Sequence, residues 1–189
     1  MSKTLKDIFI RQITGEWGEK SDETLGTPVI RTTNFTNDGN LDLRTVAYRL
    51  IPQKKVADKR LIEGDIILEK SGGTNTTPVG RVVYCNSQIN GNTYICNNFT
   101  QVMRSDTTIA FPKYVFYLMF QLHKSGITDS MQNKTTGIRN LRIKDYLALE
   151  VGLPTLDLQQ KIATILDKVN ALINERKQQL EKIDLLVKS

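Results

Sequence analysis

The polar stretch Ser71-Gly72-Gly73-Thr74-Asn75-Thr76-Thr77-Pro78 holds no apolar side chain and cannot belong to a core. Its paired glycines let a backbone approach a partner closely, and its hydroxyls, with Asn75, offer hydrogen bonds to phosphates or base edges. Lys70 and Arg81 flank it with positive charge. A second polar, basic, glycine-bearing stretch follows at Asn133-Lys134-Thr135-Thr136-Gly137-Ile138-Arg139-Asn140. The candidate contact residues are therefore Lys70, Ser71, Gly72, Gly73, Thr74, Asn75, Thr76, Thr77 and Arg81, with Lys134, Thr135, Thr136, Arg139 and Asn140 in the second group. A plain flexible hairpin is the competing reading of the first stretch.

This is chemistry for holding a partner, not for breaking its bonds. The chain carries no phosphate-binding loop, no dinucleotide glycine fingerprint and no His-Glu-x-x-His zinc helix. It also lacks a Gly-x-Ser-x-Gly nucleophile and the Asn-Pro-Pro-aromatic signature of adenine methyltransferases. Glu69-Lys70 lies close to Asp65 but without the Glu-x-Lys spacing of restriction nucleases. One His and two Cys leave too few soft ligands for a zinc site, so no metal or cofactor is expected.

The 189 residues are 39% hydrophobic and 24% charged, with net charge +6, the balance of a soluble protein with one core-sized domain before its tail. The last 36 residues hold six basic and five acidic side chains, so the excess sits on the head and favours nucleic acid over an acidic protein partner. No run is apolar enough for a membrane span, and the start lacks the apolar stretch of a secretory signal. A cytoplasmic protein with reduced Cys85 and Cys96 is expected.

Strands are expected at Thr27–Arg31, Ile66–Lys70, Gly80–Tyr84, Tyr94–Cys96 and Thr100–Met103, with a tight turn at Asn37–Asn40. Lys54–Ile62 suits a short helix, and Pro112 opens a buried one that stops near Gly126. Trp17, bracketed by glycines, reads as a packed lid more readily than as a base-stacking platform. His123 is expected to cap carbonyls at the end of its helix.

These elements must be carried by the tail. Asp157 as N-cap and Gln160 three residues on form a capping-box signature. From there Leu158, Ile162, Ile165, Val169, Leu172, Ile173, Leu180, Ile183 and Val187 recur at helical spacing, like a coiled coil with one stutter. Roughly thirty residues give a helix of about 45 Å. It suits a dimer interface; folding back on its own core is the alternative.

Together these stretches resemble the DNA-specificity subunit of type I restriction-modification systems. Gly64-Asp65-Ile66-Ile67-Leu68, Ser71-Gly72-Gly73 and Gly80-Arg81 look like the central loop of that family's target-recognition domain. Gly137-Ile138-Arg139-Asn140-Leu141 is similar to its late loop, and Leu153–Ile162 to the junction with the conserved helix. The resemblance implies an α+β fold, with a mixed-sheet target-recognition domain over 1–153 and a long coiled-coil helix over 154–189. It also implies binding of double-stranded DNA at a bipartite site, with catalysis left to methyltransferase (M) and restriction (R) subunits. Family members usually carry two recognition domains and two helices paired antiparallel. By this resemblance the chain carries one of each, a half-length copy that would act alone or, as its tail suits, as a homodimer. A coiled-coil adaptor with an incidentally basic head is the alternative.

Overall fold

The computed structural model describes residues 2–74, 77–135 and 137–188. In chain order the elements are β1 (Ser2–Thr4), β2 (Phe9–Thr14), β3 (Glu19–Ser21), β4 (Thr27–Ile30), β5 (Ala47–Leu50), α1 (Gln53–Lys59), β6 (Ile66–Glu69), β7 (Ser71–Gly73) and β8 (Val82–Tyr84). After them come β9 (Ile95–Cys96), β10 (Thr100–Ser105), α2 (Pro112–Lys124), β11 (Gln132–Thr135), β12 (Ile138–Leu141), α3 (Ile143–Leu147), β13 (Glu150–Gly152) and α4 (Leu156–Lys188). The fold is α+β, as expected.

An antiparallel sheet in the order β2-β10-β6-β8 divides the head into two cores. Because successive side chains of a strand point to opposite faces, Ile66 and Leu68 join α2 and α3 on one side, while Ile67 joins Phe35, Leu61 and Tyr94 on the other. A strand covered on both faces needs no polar alternation, hence the continuous apolar run. A second sheet, β3-β5-β4-β9, closes around Val29, Ile51, Val56 and Ile95 and contains the parallel pair β4-β9. β1 pairs with β13, so the start of the chain is fastened beside the entry to α4.

Two side chains take partners that the expectations did not name. His123 does not cap a carbonyl: its Nδ1 lies 3.2 Å from Thr128 Oγ1, and burial pulls its pKa down. Trp17, 38% exposed, is packed as expected, but under the Arg49 guanidinium, 3.8 Å from the ring centroid, in a cation–π stack.

α4 is 33 residues long, about 50 Å at 1.5 Å per residue. It starts at Leu156, so Asp157 lies inside its first turn, 2.7 Å from Lys161, and is not the N-cap. The residue that fixes the entry is Gln159, fully buried. Its Oε1 accepts from the Phe111 N–H at 2.7 Å, and its Nε2 donates to the carbonyls of Ile109 (3.0 Å) and Pro154 (2.8 Å). Farther along, Tyr117 Oη donates to Asp167 at 2.5 Å and accepts from Asn170 at 3.1 Å, and Lys177 reaches Asp38 at 3.6 Å. The helix thus lies along α2 and the 37–40 turn as far as Lys177.

Candidate nucleic-acid interface

The two polar stretches, more than fifty residues apart in sequence, meet in one small sheet of order β11-β12-β7. The second stretch is therefore a β-hairpin, not a loop. Its strands pair Gln132 with Leu141, Asn133 with Asn140 and Lys134 with Arg139, and Gly137 turns with φ +81°. β12 then takes β7 as its other neighbour, Arg139 facing Gly73 and Asn140 facing Ser71. Between those pairs the register slips, leaving Gly72 as the extra residue of a bulge at φ +100°, a conformation that costs glycine little.

Side chains complete the joint. Ser71 Oγ lies 2.5 Å from Asn140 Oδ1, and the Leu141 N–H donates to the Lys70 carbonyl at 2.8 Å. A Cβ on Gly73 would sit 2.5 Å from the Thr77 carbonyl oxygen, so only glycine lets the strand fold back this tightly. Thr74 and Thr77 exchange backbone hydrogen bonds at 3.0 and 3.3 Å. Buried Gln132 docks the hairpin on the core: its Nε2 donates to the Val79 carbonyl at 3.0 Å, and its Oε1 accepts from the Val79 N–H at 3.2 Å. Sequence reasoning missed Gln132, since a lone glutamine carries no periodic signal.

The two flanking cations are not equivalent. Arg81 forms a two-pronged pair with Glu69, both contacts at 2.9 Å, and also donates to the Thr32 carbonyl. Glu69 is 4% exposed, so the Arg81 charge neutralises a carboxylate of the core. Lys70 is half-buried, with its pKa pulled below the ordinary lysine value chiefly by burial, and has no carboxylate partner among the described residues. A lysine in that state gains from a phosphate oxygen brought beside it. Of the other candidates, Ser71 and Asn140 lie half-buried in the sheet, as does Arg139, while Gly72, Thr74 and Thr77 are exposed. Asn75, Thr76 and Thr136 lie outside the described residues, as do the side chains of Lys134 and Thr135.

The Gly64-Asp65 pair has a structural role. Asp65, fully buried, accepts from the Ile62 N–H at 2.9 Å and forms a two-pronged pair with Arg104 at 2.7 and 2.8 Å.

Around α4, at about 100° per residue, Leu158, Ile165, Val169, Leu172 and Ile183 fall within roughly 60° of one another. Gln159, Ala163, Leu166, Asn170 and Lys177 face the head about 120° away. Leu158, Ile165, Val169, Leu172, Ile173, Leu180 and Ile183 are all exposed, between 44% and 63%. Ile162, expected in the same seam, is half-buried at the edge toward α2, and the Val187 side chain is outside the described residues.

The family described as the type I restriction modification DNA specificity domain matches residues 1–182. The putative type I restriction enzyme MjaX specificity subunit of Methanocaldococcus jannaschii is 24% identical over 183 residues, which cover 96% of this chain and 42% of that protein. The crystal structure of the HsdS subunit from Thermoanaerobacter tengcongensis is similar with a TM-score of 0.64 and 18% identity, covering 94% of this chain and 39% of that one. The type I restriction-modification S subunit from M. genitalium gives a TM-score of 0.59, also at 18% identity, covering 93% and 40%. The chain thus spans about two-fifths of the length of these relatives. Matched by the family description over nearly its whole length, it belongs to the type I restriction-modification DNA specificity domain family.

Proposed function

We propose that the chain is a non-catalytic DNA-recognition unit of a type I restriction-modification complex, reading one half of a bipartite site. The observation that carries this reading is the convergence of the two polar, glycine-bearing segments on one three-stranded sheet that Lys70 adjoins. A two-stranded β-ribbon is of a size the major groove of DNA admits, and its hydroxyl and amide groups suit base edges. The exposed stripe of α4 suits a second copy of the same helix, which would hold two heads apart as a homodimer. Methyltransferase and restriction subunits would supply the chemistry on the bound DNA.

Titration of a fluorescent duplex at rising salt tests the reading. Phosphate contacts release counterions, so affinity should fall steeply and linearly on a log–log plot, by tenfold or more between about 50 and 200 mM salt. A salt-insensitive affinity, or no binding at low salt, would instead favour the adaptor reading.

A further inference from the structure

We propose that Phe99 is a specificity-determining residue that meets the C5-methyl group of a thymine in the recognised half-site; the proposal rests on the DNA-recognition reading above. The chain has six phenylalanines, and Phe99, 47% exposed, is the one that is not buried or half-buried. A single exposed apolar side chain is ordinary on a protein surface. What sets Phe99 apart is where it stands and how firmly it is held there.

Its turn is fixed from both sides. The Asn97 N–H donates to the Ile30 carbonyl at 2.9 Å, and fully buried Thr100 returns its N–H (3.1 Å) and hydroxyl (2.8 Å) to the Asn97 carbonyl. The Phe99 carbonyl accepts from both the Lys70 N–H (2.9 Å) and the Ser71 N–H (3.1 Å). The ring lies against the bulge: a Cβ on Gly72 would be 3.6 Å from Phe99 Cδ2. An aromatic side chain is therefore presented, with little backbone entropy left to lose, beside the Ser71–Asn140 pair and the one flanking lysine without a carboxylate partner among the described residues.

Along the base edges of the major groove, the thymine methyl is the apolar feature, and a phenylalanine is a suitable partner for it. Polar neighbours would read the adjacent donors and acceptors. Phe99 would distinguish thymine from uracil, which differ only in that methyl group, and would add to the O4-versus-amino contrast by which hydrogen bonding separates thymine from cytosine.

The test starts from duplexes selected by the whole protein out of a random pool. Each thymine is then replaced by uracil, which removes only the methyl group. At one position of the half-site the replacement should weaken wild-type binding about fourfold, the effect of one buried carbon. Phe99→Ala should bind the thymine and uracil duplexes equally at that position and keep its other base preferences, with an unchanged melting temperature. Phe99→Leu should restore part of the discrimination. Wild-type indifference to every uracil replacement, or a Phe99→Ala protein that still discriminates, overturns the proposal. A pool that yields no enriched sequence overturns the recognition reading itself.

Discussion

Lys70 and Arg81 bracket one polar segment, yet their surroundings assign them different work. Removing Arg81 leaves Glu69 unpaired at 4% exposure, and breaking such a pair should cost about 2–4 kcal/mol, the guanidinium being about a quarter exposed. Lys70→Ala breaks no ion pair among the described residues. It should leave the melting curve nearly unchanged, weaken DNA binding across sequences and lower the salt slope by about one. Calorimetric melts beside salt titrations separate the two variants, and equal melting losses would mean that Lys70 too is structural. Cys96 allows an independent check of burial. Its folded pKa is pushed up to about 11, chiefly by burial, against an ordinary 9.0. The unfolded chain therefore loses this proton first, and stability should fall as pH rises from about 9 to about 11. Cys96→Ala should lessen that loss in urea titrations across the window without abolishing it, since burial also pushes the Cys85 thiol up, and should lower stability at neutral pH through the cavity.

At the scale of elements, the entry to α4 shows where spacing alone misleads. Gln159→Ala would leave the Phe111 N–H and the Ile109 and Pro154 carbonyls without their partner and should cost about 2–4 kcal/mol. Gln160→Ala, at an exposed position, should be within about 0.5 kcal/mol of wild type by urea denaturation. Asp157 and Gln160 satisfied a local rule, while the side chain that sets the joint was one with two of its three partners about fifty residues away. Strands β4, β6, β8 and β10 and helices α1 and α2 were legible because apolar runs, turn residues and the Pro112 start are local signals. That the 133–140 stretch is a hairpin, and that β7 adds to it, was not legible. Pairing is non-local, and both strands are too polar to show a buried face. The fate of Arg81 was hidden for a related reason: a lone Glu69 inside an apolar strand gives no hint of which cation will neutralise it. The candidate site was therefore found as two sequence segments, but its geometry came from their meeting.

At the scale of the molecule, α4 presents two faces about 120° apart, and only one is occupied by the head. If the other pairs with a second copy, Ile165→Asp or Val169→Asp would place carboxylates in an apolar seam and should convert a dimer to a monomer in light scattering, with the head's melting unchanged. Unchanged mass in wild type and variants alike would remove the pairing. Closed two-fold symmetry is the ordinary outcome for two identical chains, and antiparallel helices would set one recognition sheet at each end. The two sheets then read opposite strands in opposite directions, so the site should be an inverted repeat with unread bases between its halves. A helix of about 50 Å, against about 34 Å per turn of duplex, places the half-site centres roughly 10–15 base pairs apart. The spacing then belongs to the helix and the half-site sequence to the head. Insertion of four residues after Lys177, beyond the last contact with the 37–40 turn, should change the preferred spacing while leaving each half-site as it was. Exchange of the β11–β12 hairpin should do the reverse. Sequences recovered from a random duplex pool give both quantities at once. A single contiguous, asymmetric motif would reject the two-fold arrangement even if binding were tight, because one head would then be reading alone.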